Sequence, residues 1–392
     1  MTLDNGIFVE FLSQGAELVY PADWVSFAIS DSIHSLYSKM NLNINDKEGK
    51  IAELLLSNVG NVIEIKYGYE ERPDVTVGGS FVVNQDMMGQ TGEDSSIFSG
   101  PLDIYFFHEW FNQQSNISRS FQDSISNIVR RISREYNFNR VNIDRSGNFG
   151  FWYQPLISSA KFLTEILVPR SFSTQSDNTP FFCFIDVHGE FNFLSYKSMF
   201  SEDIFNYTYW PKSVGEDSKI DNFILSISRW SDTLQNIKKS INTTSYQIDN
   251  DGVFSKKMLN NEEFLTKSLL ESYPVSNQIG NSLNYSLDFY DYEGDEDQKA
   301  KEVQLLKQSL FRDQFLLLVP FNPSIKAGKT INMDLVLPTE SNDTFSSRFS
   351  GKYLVESTEH VWDGESKASV SKLVVSRKYS KIPNEYSLKE LF

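Results

Sequence analysis

The stretch from 328 to 378 restricts the fold more than any other, because it reads as three consecutive strands. Apolar side chains at Ile331, Met333 and Leu335 alternate with polar ones along 328–337, the period expected when one strand face is buried. After a polar loop, 350–362 carries Tyr353, Val355 and Val361. Asp363-Gly364 is a strong hairpin signal, and 369–377 returns with Leu373 and Val375. Without a bulge, Tyr353 and Val355 share a face with Val361.

The same grammar occurs near the N-terminus. Gly60 precedes a strand with Ile63 and Ile65, as Gly328 precedes Ile331 and Met333. Gly79 stands two residues before Phe81 and four before Val83, as Gly351 stands before Tyr353 and Val355. Leu102, Ile104 and Phe106 match the closing strand with Leu373 and Val375. Two copies are too few for a solenoid, so the pattern predicts one small β-barrel used twice. The expected class is α+β, mainly β: two similar small antiparallel, tube-like β-barrel domains with an α/β insert between them.

At 392 residues the chain is long enough for two or three domains. Its 31 Phe and 18 Tyr suit pleated surfaces. Lys and Arg number 36 against 52 Asp and Glu, a net −16. That charge repels phosphate at long range and disfavours adhesive nucleic-acid binding, though not the passage of DNA. The single Cys183 sits in the apolar run 181–185, which excludes an intrachain disulfide and predicts a buried thiol. No signal-peptide pattern and no apolar run of membrane-spanning length is evident, so direct membrane insertion is not expected.

Taken in order, 1–112 is expected to hold the first barrel. Residues 1–23 are its lead-in, Trp24 opens it, and 85–100 is an exposed loop. Residues 113–204 form the insert. There, Ser120 and Asp123 predict a capping box ahead of a helix with Phe121, Ile125, Ile128, Val129 and Ile132 on its apolar face. A second helix covers 159–168 and stops at Pro169. A hairpin turning at His188-Gly189 follows. The second barrel is expected from 205–250 and 313–380, opening with the strand 220–227 after a connector. An excursion over 251–312 carries an acidic loop and a helix over 296–312, with Val303, Leu306 and Leu310 on one face. Residues 381–392 form a tail.

Candidate chemical motifs give little. Ala327-Gly328-Lys329-Thr330 has the ending of a phosphate-binding loop, but Pro323 stands where its first glycine belongs and a strand follows, so a turn is expected. In the acidic stretch, Asp291, Glu293 and Asp295 fit a calcium loop, but Glu296 takes the glycine position and Glu302 the twelfth. His34, His108, His188 and His360 show no paired ligand spacing. No serine lies in a nucleophile elbow. The expectation is therefore no enzyme: no catalytic residues, no cofactor-binding residues, no metal site and no cofactor. Aromatic runs at Phe151-Trp152-Tyr153 and Tyr207 to Trp210 leave a carbohydrate-binding adhesin, or a glycan-degrading virion protein, as the alternative.

Over its whole length the chain resembles the central baseplate hub of contractile-tailed phages, a fold shared with the N-terminal half of type VI secretion spike proteins and with late-control tail proteins. The resemblance rests on the order of barrel, insert and barrel. Its clearest local match is the ending, from Pro323 and Gly328 through Tyr353, Val355 and His360 to the strand closing on Arg377. It implies a structural homotrimer in the virion, assembled in the host cytoplasm. Such a ring adapts a six-fold tail tube to a three-fold central spike, contacts other baseplate proteins and leaves a channel in which DNA is only passing cargo. No spike-like segment is read before Phe392, so the spike is expected to be a separate chain.

Overall fold

The computed structural model describes residues 2–3, 7–13, 16–17, 24–46, 63–69, 72–83, 89–90, 100–108, 110, 115–138, 140–147, 149–173, 179–201, 204–209, 222–229, 242–248, 254–260, 283–287, 310–311, 313–337, 344–345, 349–363 and 368–377. These are mainly β. The N-terminal strands are Ile7–Ser13 (β1), Trp24–Ser32 (β2), Lys39–Asp46 (β3), Ile63–Tyr69 (β4), Arg72–Val83 (β5) and Gly100–His108 (β6). Their spatial order is β1-β4-β5-β6-β3-β2, with every neighbouring pair antiparallel. The segment 1–23, read as a lead-in, thus supplies the first strand of the set. Its Ile-Phe-Val-Glu-Phe-Leu run has the β-rich character that pairing with β4 requires.

The middle of the chain contributes Asn116–Ser124 (β7), Ile125–Glu135 (α1), Val141–Ile143 (β8) and Phe149–Ser158 (β9). A helical segment 159–170 (α2) follows, then Phe181–Ile185 (β10), Phe191–Ser195 (β11) and Tyr196–Ser201 (α3). β7 and β9 form an antiparallel ribbon, and β8-β11-β10 a three-stranded sheet. The expected cap at Ser120 is corrected. Residue 120 lies inside β7 opposite Tyr153, and α1 begins only after Ser124. The Asp123 carboxylate is used on the Ser124 amide and the Asn127 side chain. Phe121 belongs to the strand face, stacked on Phe162 at 5.8 Å, while Ile125, Ile128, Val129 and Ile132 form the buried helix stripe. The second helix runs past its expected stop, with Pro169 inside the last turn. The segment 162–167 is wound as a π-helix, and a proline near the start of the short turn 168–170 leaves no helical amide unpaired. Cys183 is buried in β10.

The C-terminal strands are Ile204–Tyr209 (β12), Ser226–Arg229 (β13), then Asn242–Ile248 (β14), Phe254–Asn260 (β15) and Leu283–Leu287 (β16), which form a separate small sheet. Asp313–Pro320 (β17), Thr330–Leu337 (β18), Gly351–Asp363 (β19) and Ala368–Arg377 (β20) complete the chain. The principal set is ordered β12-β18-β19-β20-β17-β13. Counted along each set, both orders are first, fourth, fifth, sixth, third, second. The registers agree as well. Ile63 faces Phe81 and Ile65 faces Gly79, as Ile331 faces Tyr353 and Met333 faces Gly351. Phe106 pairs with Met40 and Ile104 with Leu42, as Val375 pairs with Phe315 and Leu373 with Leu317. One difference is that β1 meets β4 antiparallel whereas β12 meets β18 parallel. Counting back from Ile63 and Ile331 puts Gly60 level with Gly328, but Gly60 lies outside the described residues.

Two expectations are revised. The opening strand of the second set is β12, within the stretch read as a connector. The strands of the two sets, with four short strands beside them, form one sixteen-stranded sheet, joined where β2 pairs antiparallel with β19, and neither set is a closed barrel among the described pairings. A bulge at Glu356 also breaks the assumed parity of β19. Tyr353 and Val355 face the core before it; Thr358, His360 and Trp362 are buried after it, and Val361 turns outward. The bulge leaves Glu356 accepting from Gln314 Nε2 at 2.7 Å and meeting His34 Nε2 at 2.7 Å. The expected acidic loop and the helix over 296–312 lie outside the described residues except for Leu310 and Phe311, which are buried.

Candidate functional site

Three chain segments that are distant in sequence meet around one buried carboxylate. Asp31 ends the apolar part of β2, Asp186 to Glu190 form the turn between β10 and β11, and Lys326 to Gly328 form the turn before β18. Apolar strands flank each of these, so folding carries their polar ends inward together. Asp31 is 3% exposed. It accepts from Thr358 Oγ1 at 2.6 Å, from the Val187 amide at 3.1 Å and from the Ala327 amide at 3.1 Å. One side chain therefore ties β2, the insert turn, the 326–328 turn and β19. Burial, aided by the charge of Asp186, pushes the Asp31 carboxyl up to about 6, against the opposing hydrogen bonds.

Asp186 is fully buried. Its Oδ1 accepts from the amides of His188 and Glu190, and its Oδ2 from Asn192 Nδ2. Lys326 Nζ lies 2.7 Å from Asp186 and 2.6 Å from Glu190. Glu190 also accepts from Arg140 at 2.9 Å. Burial works to raise the Glu190 carboxyl, but the bonds from Lys326 and Arg140 outweigh it and hold it at about 2. Burial likewise opposes the Lys326 charge, and the two carboxylates more than offset it, so its pKa is raised. His188 is lowered, by burial first and by Lys326.

Beside this cluster, His360 is fully buried. Its Nε2 lies 3.0 Å from the Ile325 carbonyl, which can only accept, so Nε2 carries the proton and Nδ1 accepts from Ser371 at 2.8 Å. Burial lowers it to about 4. Its ring contacts Tyr67 of β4 and Phe321, which brings both strand sets together. Gly328 completes the junction. Its φ is +82°, its amide donates to Val355, and an added Cβ would stand 2.7 Å from Phe184 Cζ. The 327–330 motif is thus a turn, as its sequence context required.

Each carboxylate oxygen at the junction is engaged by donors of the chain itself. The arrangement locks three segments in register rather than presenting an acid–base pair to a substrate. Among the described residues, no three His, Cys, Asp or Glu are grouped to hold a metal, and no helix is long and apolar enough to cross a membrane. His34 lies at Glu356, His188 in the insert turn with Nε2 3.4 Å from the Pro323 carbonyl, and His360 in β19. His108 pairs with Phe81. The acidic stretch with Asp291, Glu293, Asp295, Glu296 and Glu302 lies outside the described residues. The aromatic run 151–153 and Tyr207 lie on strands. Trp152 and Tyr207 are buried, while Phe151 and Tyr153 stay 69% and 47% exposed. Trp210 is outside the described residues. Sequence reasoning missed the junction because its members are scattered. The available signal was a pair of acids flanking the His188-Gly189 turn between an all-apolar strand and a Phe-rich one.

No protein-family model and no curated protein matches the sequence. Solved structures do match the fold. A tail protein from Neisseria meningitidis MC58 aligns at TM-score 0.58 and 10% identity, over 95% of this chain and 98% of that one. A 43 kDa tail protein of prophage MuSo2 from Shewanella oneidensis aligns at 0.53 and 12%, over 96% and 99%. An E. coli type VI secretion component, described as similar to bacteriophage T4 tail proteins, aligns at 0.50 and 10%, over 97% and 80%. The fold is therefore one found in phage tail proteins and in a type VI secretion component, as the order of strands, insert and strands implied.

Proposed function

We propose that the chain is a structural baseplate protein of a contractile tail: a trimeric hub that joins a six-fold tube to a three-fold spike and leaves a channel for DNA. The observation that carries this reading is the repeated six-strand order with matching register. Three copies of a chain holding two such units offer six equivalent units, which meets a six-fold neighbour without a mismatch. In this reading 1–112 and the pair 204–229 and 313–380 are the two tube-like units, 113–203 is the insert, 230–312 an excursion that carries the separate small sheet, and 381–392 a tail. The bridge between Thr208 and Phe223, which brings the lead-in of β13 against β12, supports closure of the second unit. Similarity of fold to two tail proteins and a secretion component supports the setting. The buried junction then serves to fix the insert rigidly on both units, and the protein works without catalysis or cofactor. The net −16 suits a lumen through which DNA slides without sticking.

The test is co-expression with the tube and spike proteins of the same particle, followed by mass measurement. A complex with three copies of this chain is the expected product. A chain that stays monomeric both alone and with those partners overturns the hub. The adhesin alternative keeps only the exposed Phe151 and Tyr153 in its favour; binding on a glycan array would support it.

A further inference from the structure

The outer face of α1 is rich in arginine. Ile125, Ile128, Val129 and Ile132 pack inward, and at helical spacing this turns Asn127, Arg130, Arg131 and Arg134 towards solvent. These four residues and Glu135 line a cleft of about 490 Å³. Among the lining residues Glu135 is the only acid, and both its oxygens already accept from Arg119 of β7, at 2.9 and 2.7 Å. Arg131 Nε stands 3.8 Å from the same carboxylate, and Arg130 donates to the neutral Asn127 side chain at 2.9 Å.

Four guanidinium groups are thus set against one carboxylate. Two of them are held in place from below: Arg119 and Arg131 stand over the Phe121 ring, 4.9 and 5.5 Å from its centroid. A planar guanidinium fork takes a carboxylate two oxygens at a time. A cleft of this size with several such forks fits a peptide stretch that carries several carboxylates.

The sequence contains such a stretch. The described residues carry 18 acids and 20 bases, against 52 and 36 in the whole chain, so the net −16 comes from the residues outside them. Within that remainder, 288–297 holds six acids in ten residues and no base, with the aromatic side chains of Phe289, Tyr290 and Tyr292 among them. Its charge complements the cleft, and its place in the chain allows the contact. Leu310 follows Asp297 by thirteen residues, and with Phe311 it packs against Phe182 and Phe184 on one face of β10. The other face of that strand, through Phe181, Cys183 and Ile185, packs with the buried stripe of α1. One layer spacing and the helix itself, roughly 20 Å, separate Leu310 from the arginine face. Thirteen residues span about 20 Å as helix and up to about 43 Å extended. We infer that the arginine face of α1 is a binding site for a carboxylate-rich peptide, and that its occupant is 288–297 of the same chain. The inference goes beyond the hub reading and does not depend on it.

The test uses the full chain. A photoreactive phenylalanine in place of Tyr290 is expected to cross-link to 127–135 within a single chain, and to lose that product at 1 M salt, where charges are screened beyond about 3 Å. In a second arm the stretch is neutralised as Asp291→Asn, Glu293→Gln and Asp295→Asn, and a labelled peptide with the natural sequence of 288–297 is added. Fluorescence anisotropy is expected to show the peptide binding this variant at least tenfold more tightly than wild type, whose cleft is filled. Adding Arg130→Ala and Arg134→Ala is expected to abolish that binding with an unchanged melting temperature, because neither side chain is buried. Cross-links that fall on Lys256 or Lys257, or anywhere else outside 127–135, overturn the inference, as do cross-links formed only between two chains. So does peptide binding that is absent from the neutralised variant, equal in that variant and wild type, or retained after loss of both arginines. Should the arginine variant melt early, the cross-link in the chain with its natural arginines decides alone.

Discussion

Replacing Asp31 by Asn is expected to change how stability depends on pH rather than merely to lower it. The Asp31 carboxyl stands at about 6 in the fold against a reference of 3.8. The folded chain therefore binds the proton more tightly, and stability from this group rises as pH falls from about 6 towards 4. His360 has the opposite sign. Its folded value of about 4 lies below 6.5, so unfolding is favoured as pH falls through 6.5. Between pH 7.5 and 5, Asp31 supplies about 1.5 kcal/mol and His360 removes about 2 kcal/mol, so the two nearly cancel in the wild type. Asp31→Asn removes only the first contribution. Urea titrations followed by circular dichroism should show the variant losing about 1.5 kcal/mol more than wild type over that interval, whatever its offset at pH 7.5. Parallel profiles for the two proteins would refute the buried, titrating Asp31.

Other perturbations of the junction test it separately. Thr358→Val removes the 2.6 Å bond to Asp31 and should move the acid-stabilised window to higher pH, read in the same titrations. Lys326→Met strips the cation from between Asp186 and Glu190 and should cost about 3–5 kcal/mol; a urea midpoint near wild type would contradict the ion triad. Gly328→Ala meets both the +82° φ and Phe184, and a loss of about 1–3 kcal/mol is expected, measured as a lower melting temperature. Gly351→Ala, at φ +131° and 3.2 Å from Arg377, should act in the same direction.

Much of the sheet was legible because its strands alternate cleanly. The equivalence of Phe81 with Tyr353 and of Ile63 with Ile331 followed from spacing alone, and the registers repeat it. β12 was hidden because its six residues sit among polar ones and make a parallel pairing that no local turn announces. Phe121 was assigned to the helix because its spacing from Ile125 suits either structure; the ribbon pairing with Trp152 decided it. The bulge at Glu356 could not be read, since it arises from pairing β19 on two sides at once. The junction was invisible for a related reason. Asp31 and Thr358 are 327 residues apart, and only the pairing of β2 with β19 brings them together.

The central claim is that two equivalent six-strand units per chain, three chains to a ring, build a face that a six-fold tube can meet. Electron microscopy of the chain assembled with its spike tests this most directly. The account predicts a three-fold particle whose tube-facing rim shows six similar densities, with 7–108 matching 204–229 and 313–377 in strand order, the first strand of each set running in opposite senses. A particle of another symmetry, or a three-fold ring whose rim is formed by only one of the two strand sets, would contradict it.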